Sequence, residues 1–202
     1  YVVNSFDGQV TFNDGKTKDE IAGIQSWKYY EKVDTGKYDF EVKNNKSQVF
    51  GIAAFQYFTE IVGRMSNAEI IRYAGEKEFN GTNYDLVYAT WKTEAAHKEV
   101  DQYILYFNKT TKMLDYASYT LRDNYLKIPG SGMMYGSIAF TDYKKIDGYM
   151  VPHTQSVFLM KPEEKLKKYI HRLTIDSFSF DGFDKGELYP DKTIKTIGDS
   201  KL

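Results

Sequence analysis

Tyr, Phe, Val, Ile and Thr recur along most of this chain in short runs separated by Gly, Asn and Asp. That is the pattern of antiparallel strands joined by tight turns. Trp27 to Val33 and Tyr38 to Val42 flank Asp34-Thr35-Gly36-Lys37. Ile70 to Phe79 and Tyr84 to Trp91 flank Asn80-Gly81-Thr82-Asn83; Asn-Gly is a strong hairpin signal because both residues accept left-handed backbone. Asp101 to Phe107 pairs through Asn108–Lys112 with Met113 to Leu121. Met134 to Tyr143 pairs through Lys144–Gly148 with Tyr149 to Met160. A charged turn, Lys161-Pro162-Glu163-Glu164-Lys165, leads to a long final strand over Tyr169 to Phe180. About nine or ten strands at this spacing predict one large antiparallel sheet that curls.

One stretch follows a different period. Between Ser47 and Met65, apolar residues fall at Phe50, Ala53, Ala54, Tyr57, Phe58, Ile61, Val62 and Met65, the stripe of an amphipathic helix. Ser47 suits the N-cap, Gly63 a weakening or end, and Gln48, Gln56, Glu60 and Arg64 the wet face. Thr17 to Ala22 has room for one further helical turn. The segment 181–202, rich in Gly, Asp and Lys, reads as a surface tail, and with no linker composition the chain is read as a single domain, 1–202.

The central strands do not separate polar from apolar. Tyr103, Leu105 and Phe107 oppose Ile104 and Tyr106; Tyr84, Leu86 and Tyr88 oppose Val87, Ala89 and Trp91. Met134, Ile138 and Phe140 oppose Tyr135, Ala139 and Tyr143, while Val151, Val157 and Leu159 oppose Met150, Phe158 and Met160. A sheet with one wet face should alternate cleanly. These strands need cover on both faces, from a sheet that curves around an interior or from a partner. A hollow of this kind would take an apolar ligand; a fully packed core is the competing explanation.

Composition narrows the classes. Lys and Arg number 27 against 28 Asp and Glu, which lacks the basic excess of a nucleic-acid binder. With 42% hydrophobic residues there is material for a core, yet no run reaches the roughly 18 apolar residues of a spanning helix. The absence of cysteine removes disulfides, thiolate metal sites and thiol catalysis. A start at Tyr1 rather than Met fits loss of a signal segment and fits truncation equally.

Catalytic and metal motifs are faint. His97, His153 and His171 have no ligand-pair spacing. Asp142, Asp147 and His153 flank a turn and read as solvated turn acids beside a partly exposed histidine; Asp181, Asp184 and Glu187 lack EF-hand spacing. Glu94 and Glu99 are an unremarkable pair of acids. Neither a nucleophile elbow nor a phosphate loop occurs, and Gly130-Ser131-Gly132 reads as a connection. Asn45, Asn80 and Asn108 begin Asn-x-Ser/Thr triplets that matter only in a eukaryotic secreted protein.

Longer motifs carry a family likeness. Asn80-Gly81-Thr82-Asn83-Tyr84-Asp85-Leu86-Val87, then Asp101 to Thr111, then Met113-Leu114-Asp115-Tyr116-Ala117-Ser118-Tyr119 resemble the bacterial outer-membrane lipoprotein-sorting superfamily. Phe140-Thr141-Asp142-Tyr143-Lys144-Lys145-Ile146-Asp147-Gly148-Tyr149-Met150-Val151-Pro152-His153 is similar to a signature of its uncharacterised exported branch. The likeness spans about Ile70 to Met160. It implies a mainly β, α+β fold: a strongly curved antiparallel sheet forming an incomplete barrel, with one or more helices over the concave side. It also implies an exported protein, periplasmic or tethered to the outer membrane, that holds an acyl chain or other apolar molecule without covalent chemistry.

These readings lead to an expectation. The chain is a non-enzymatic envelope protein, free of cofactor and metal, whose ligand is an apolar small molecule or the acyl chain of a lipoprotein. Its ligand residues are Phe55, Phe58, Trp91, Tyr106, Tyr116, Met134, Ile138, Phe140 and Phe158, under a lid formed by the Ser47–Met65 helix. The alternative is a module with a filled core that docks an envelope protein partner. An enzyme on the same fold would draw on His153, His171 and Arg172.

Overall fold

The computed structural model describes residues 8–12, 20–25, 28–33, 37–40, 52, 54, 57–95, 100–120, 135–164 and 168–193. Strand dominates, in two antiparallel sheets that do not close into a barrel. One sheet has four strands in chain order, β1 (Gly8–Phe12), β2 (Glu20–Gln25), β3 (Lys28–Lys32) and β4 (Tyr38–Asp39). The other has seven, also in chain order: β5 (Ile70–Phe79), β6 (Thr82–Thr90), β7 (Tyr103–Asn108), β8 (Leu114–Thr120), β9 (Tyr135–Ile146), β10 (Tyr149–Phe158) and β11 (His171–Thr174). The single large sheet expected from the strand count is thus two. The stretch of helical period falls between β4 and β5, and it interrupts the run of hairpins that would have joined them.

The chain divides into two compact units, residues 1–60 with 179–202, and residues 61–178. In the first, Ala22, Ile24, Tyr29 and Ile52 form a core to which Val10 and Tyr57 add. Glu20 to Ala22, at the end of the segment with room for a helical turn, are strand and pair with β1 and β3. The tail segment is not loose coil throughout. Residues Lys185–Leu188 form a 3-10 turn capped by Asp184, whose Oδ1 accepts from the Gly186 N–H at 2.8 Å. Leu188 is buried. The Gln25 amide donates to the Asp191 carbonyl at 2.7 Å and accepts from the Asp191 N–H at 3.2 Å. One buried amide thereby completes two peptide hydrogen bonds that a tail would otherwise make with water.

Turn chemistry sets the register of the seven-stranded unit. Asn80 and Gly81 have φ of 52° and 74°, and Asp147 and Gly148 have 49° and 91°: two-residue loops with both centres left-handed, whose twist matches the strands they join. After β7, the Asn108 Oδ1 accepts from the Thr110 and Thr111 N–H groups, and Lys112 takes the left-handed residue that closes the loop. Strand β5 is bulged between Tyr73 and Gly75, and the β7–β8 pair between Tyr106 and Phe107; each bulge bends its strand. The last strand is shorter than expected, because pairing with β10 stops at Thr174.

The helical stripe is present where it is described: Ile52, Ala54 and Tyr57 to Thr59 are helical, and α1 spans Ile61–Ser66. Gly63 does not end it. The end comes at Ser66, where the Ser66 hydroxyl and the Asn67 amide both donate to the Gly63 carbonyl. The inward side of α1 also differs from the expected stripe. Arg64, placed on the wet face, is buried with Ile61 and Met65, while Val62 is exposed.

Candidate functional site

Register assigns each strand residue to a face, because directly paired residues share one. The first face of the seven-stranded sheet carries Ala89, Tyr103, Leu105, Ala117, Tyr119, Ile138 and Val157, all buried. Ala117, Ile138 and Val157 lie side by side on adjacent strands. Phe140 lies on this face and pairs with buried Gln155. His153 follows two residues earlier on β10; it is fully buried rather than partly exposed, and its Nδ1 sits 3.1 Å from the Val151 carbonyl.

The second face carries Tyr84, Leu86, Tyr106, Tyr116, Ala139, Ser156 and Phe158. Toward β5 it becomes aromatic. The Phe79 ring stacks on Tyr84 at 4.7 Å and meets Tyr106 and Tyr116 at 6.0 and 5.5 Å. Tyr84 and Tyr106 meet edge to face at 6.1 Å, and Tyr106 and Tyr116 at 6.3 Å. Phe79 reaches this group because it is the last residue of β5, directly opposite Thr82 across the Asn80-Gly81 turn. Four rings from four adjacent strands thus make one cluster, in the offset and edge-on geometries that aromatic quadrupoles prefer.

The turn after β10 lies over this cluster. Its Glu163 Oε1 accepts from the Tyr106 hydroxyl at 2.8 Å and pairs with Lys77 Nζ at 3.4 Å. Tyr106 is on β7 and Lys77 on β5, three and five strands from β10 in the sheet order. Pro162 is fully buried. The turn is closed by the Glu164 N–H to the Lys161 carbonyl, and anchored upstream by the Ser137 hydroxyl on the Met160 carbonyl at 2.6 Å. Glu163 Oε2 is buried with no hydrogen-bond partner among the described residues.

Burial governs the titration of these rings, and neighbouring groups add to it. Tyr84 is pushed up to about 12 by burial, then by its neighbours Tyr116 and Asp115. Burial, then the hydrogen bond to Glu163 and its charge, raise Tyr106. Burial followed by Asp115 raises Tyr116. Asp115 itself is held by the Asn108 amide at 2.9 Å. Burial pushes the Glu163 carboxyl up, but its own backbone N–H, the Tyr106 hydroxyl and Lys77 outweigh that and hold it below the ordinary range. Among the described residues, neutral phenols on the second face therefore lie beside the Asp115 and Glu163 side chains, with Lys77 paired to Glu163.

Of the expected ligand residues, this face brings together Tyr106, Tyr116 and Phe158. Ile138 and Phe140 are on the other face, and Trp91, just past β6, rests edge-on against Tyr103 at 6.1 Å. Phe58 belongs to the first unit, where Tyr57 meets it edge-on. Phe55 and Met134 lie outside the described residues. Phe79, Tyr84, Lys77, Asp115 and Glu163 were not among the ligand residues expected from the sequence. The register through Asn80-Gly81 was enough to align Phe79 and Tyr84 with Tyr106; nothing local marks Glu163, which sits in a run that reads as a solvated turn.

No protein-family model, curated protein or solved structure matches this chain. The site must therefore be read from its own chemistry. Among the described residues no three His, Asp or Glu side chains converge as a metal set. Asp142, Asp147, Asp181 and Glu187 are exposed; Glu94 pairs with Arg72 at 3.0 Å, while His97 and Glu99 lie outside the described residues. The three groups an enzyme would draw on are dispersed. His153 is buried on the first face and His171 is exposed, whereas Arg172 donates to the Ser156 hydroxyl on the second face and covers the Tyr169 ring at 4.0 Å. Among the described residues no helix is long and apolar enough to cross a membrane.

Proposed function

We propose that this chain is a non-enzymatic binding protein of the bacterial cell envelope that holds an apolar molecule, or the acyl chain of a lipoprotein, against the tyrosine-bearing face of its seven-stranded sheet. One observation carries the reading. The same sheet buries aliphatic and aromatic side chains on one face and tyrosines on the other, where a sheet with one wet face would expose every second residue. The incomplete barrel belongs to the proposal, with the tyrosines on its concave side. Two bulges that bend strands, and a turn that reaches three and five strands across this face to Tyr106 and Lys77, support it. The motif likeness to the lipoprotein-sorting superfamily supports a periplasmic or outer-membrane-tethered location.

Burial would drive binding, at about 25 cal/mol per Å² of apolar surface removed from water. The test pairs native mass spectrometry of gently purified protein with titration of the neutral probe N-phenylnaphthylamine. Saturable fluorescence enhancement, or a mass above that of the bare chain, is expected. A bare mass together with an enhancement that never saturates overturns the proposal.

A further inference from the structure

The four-stranded sheet is covered on its two faces by different parts of the chain. One face carries Val10, Ala22, Ile24 and Tyr29, the core to which Ile52 and Tyr57 add. Gln9 pairs with Gly23 and Gly23 with Tyr30, so these residues and Gln25 share the other face. Tyr30 and Gln25 are fully buried there, and the 3-10 turn at Lys185–Leu188 lies against β1 and β2. This face reads its cover through the main chain. The Gln9 amide donates to the Tyr30 hydroxyl and to the Glu187 carbonyl, each at 3.1 Å. The Gln25 amide takes both the carbonyl and the N–H of Asp191. Leu188 is the one buried side chain among the described residues of 184–193.

The segment enters this face from an irregular connection. The nine residues Asp176 to Asp184 are neither helix nor strand and, half-buried Phe178 aside, are exposed, a length that reaches about 30 Å when extended. Holding 184–193 in place costs conformational entropy at every residue, set against one leucine and three glutamine hydrogen bonds. We propose that the segment is an exchangeable strap: the Gln9–Gln25 face of one copy accepts residues 184–193 of a second copy in place of its own. Every contact made within one chain is then made again between two, so exchange gives up no interface. Closure within one chain is favoured by the local concentration that its connection supplies, in the millimolar range for a short link. The inference concerns a different sheet from the binding role proposed above and stands without it.

The experiment mixes two full-length variants. Leu188→Asp spoils the strap and leaves the face, whereas Gln25→Leu spoils the face and leaves the strap. Sedimentation velocity at millimolar chain concentration should show a one-to-one dimer in the mixture, about tenfold or more above its level in either variant alone, because losing the buried leucine costs at least that factor in affinity. The unaltered protein supplies a second arm that depends on neither variant. Light and heavy isotopic chains, unfolded in urea and refolded together at the same concentration, should give mixed dimers by native mass spectrometry. An excess of the synthetic peptide of residues 184–193 should dissociate those dimers, and the same peptide carrying Leu188→Asp should not. A mixture no more dimeric than its parts overturns the proposal when both variants fold. Unaltered chains that stay monomeric, or dimers indifferent to the peptide, overturn it in any case.

Discussion

Replacing Tyr106 with Phe tests whether the turn after β10 is held on the tyrosine face by its glutamate. The substitution keeps the ring, so packing with Phe79, Tyr84 and Tyr116 is retained. It removes one hydroxyl that donates to Glu163 Oε1 at 2.8 Å. Tyr106 is 4% exposed, so water cannot replace that hydroxyl freely. A hydrogen bond to a charged group contributes about 1.5–3 kcal/mol, and Tyr106→Phe should cost that much. Lys77 bonds the same oxygen at 3.4 Å but is 46% exposed, and such a pair is worth at most about 1 kcal/mol. Tyr106→Phe must therefore cost more than Lys77→Met.

Urea unfolding followed by tryptophan fluorescence is the assay, in a Trp27→Phe background. The remaining tryptophan, Trp91, packs on Tyr103 and reports the seven-stranded unit. A double-mutant cycle with Glu163→Ala should return a coupling near 1 kcal/mol or above. The effect also has a pH signature. The folded-state value of Glu163 is held below the ordinary 4.5, so the stability from its ionised form is present above 4.5 and is lost as pH falls through the folded value. The cost of Tyr106→Phe should fade over the same range. A cost no greater than that of Lys77→Met, or a coupling of zero, would refute the latch.

Two other outcomes follow from packing and titration. A Cβ on Gly23 would stand 2.3 Å from the fully buried Tyr30 ring and 2.7 Å from the Gly8 carbonyl oxygen. Gly23→Ala should therefore lower stability by about 1–3 kcal/mol, whereas exposed, helical Gly63→Ala, with no atom within 4 Å, should raise it by about 1 kcal/mol; thermal unfolding that moves both the same way contradicts the geometry. At alkaline pH, the raised tyrosines favour the neutral form in the fold. Stability should be intact below the ordinary tyrosine value of 10.0 and decline as pH rises through about 12, the value for Tyr84; ultraviolet titration should then show part of the tyrosines ionising only as the circular dichroism signal is lost.

The hairpins were legible because their information is local. Asn80-Gly81 and Asp147-Gly148 demand left-handed backbone, few residue pairs tolerate it, and the strands on either side must then pair as they do. The two-sided character of β6 to β10 was legible for a similar reason, since period two assigns faces without knowledge of what covers them. β1 and β2 were not legible. Their residues, GQVTF and EIAGIQ, are short and hold glycine, and a strand of that kind declares itself only once Tyr30 from β3 fills the space over Gly23.

By itself, then, the sequence determined the meander order, the turn geometry and which side chains share a face. Each of these depends on residues only a few positions apart, where backbone sterics decide the outcome. The tertiary structure alone decided that the strands form two sheets, that Gln25 joins a peptide 166 residues away, and that Glu163 lies across the sheet against Tyr106 and Lys77. Those contacts depend on how burial is shared among distant segments, and a carboxylate in a turn carries no local mark of the buried phenol it will meet.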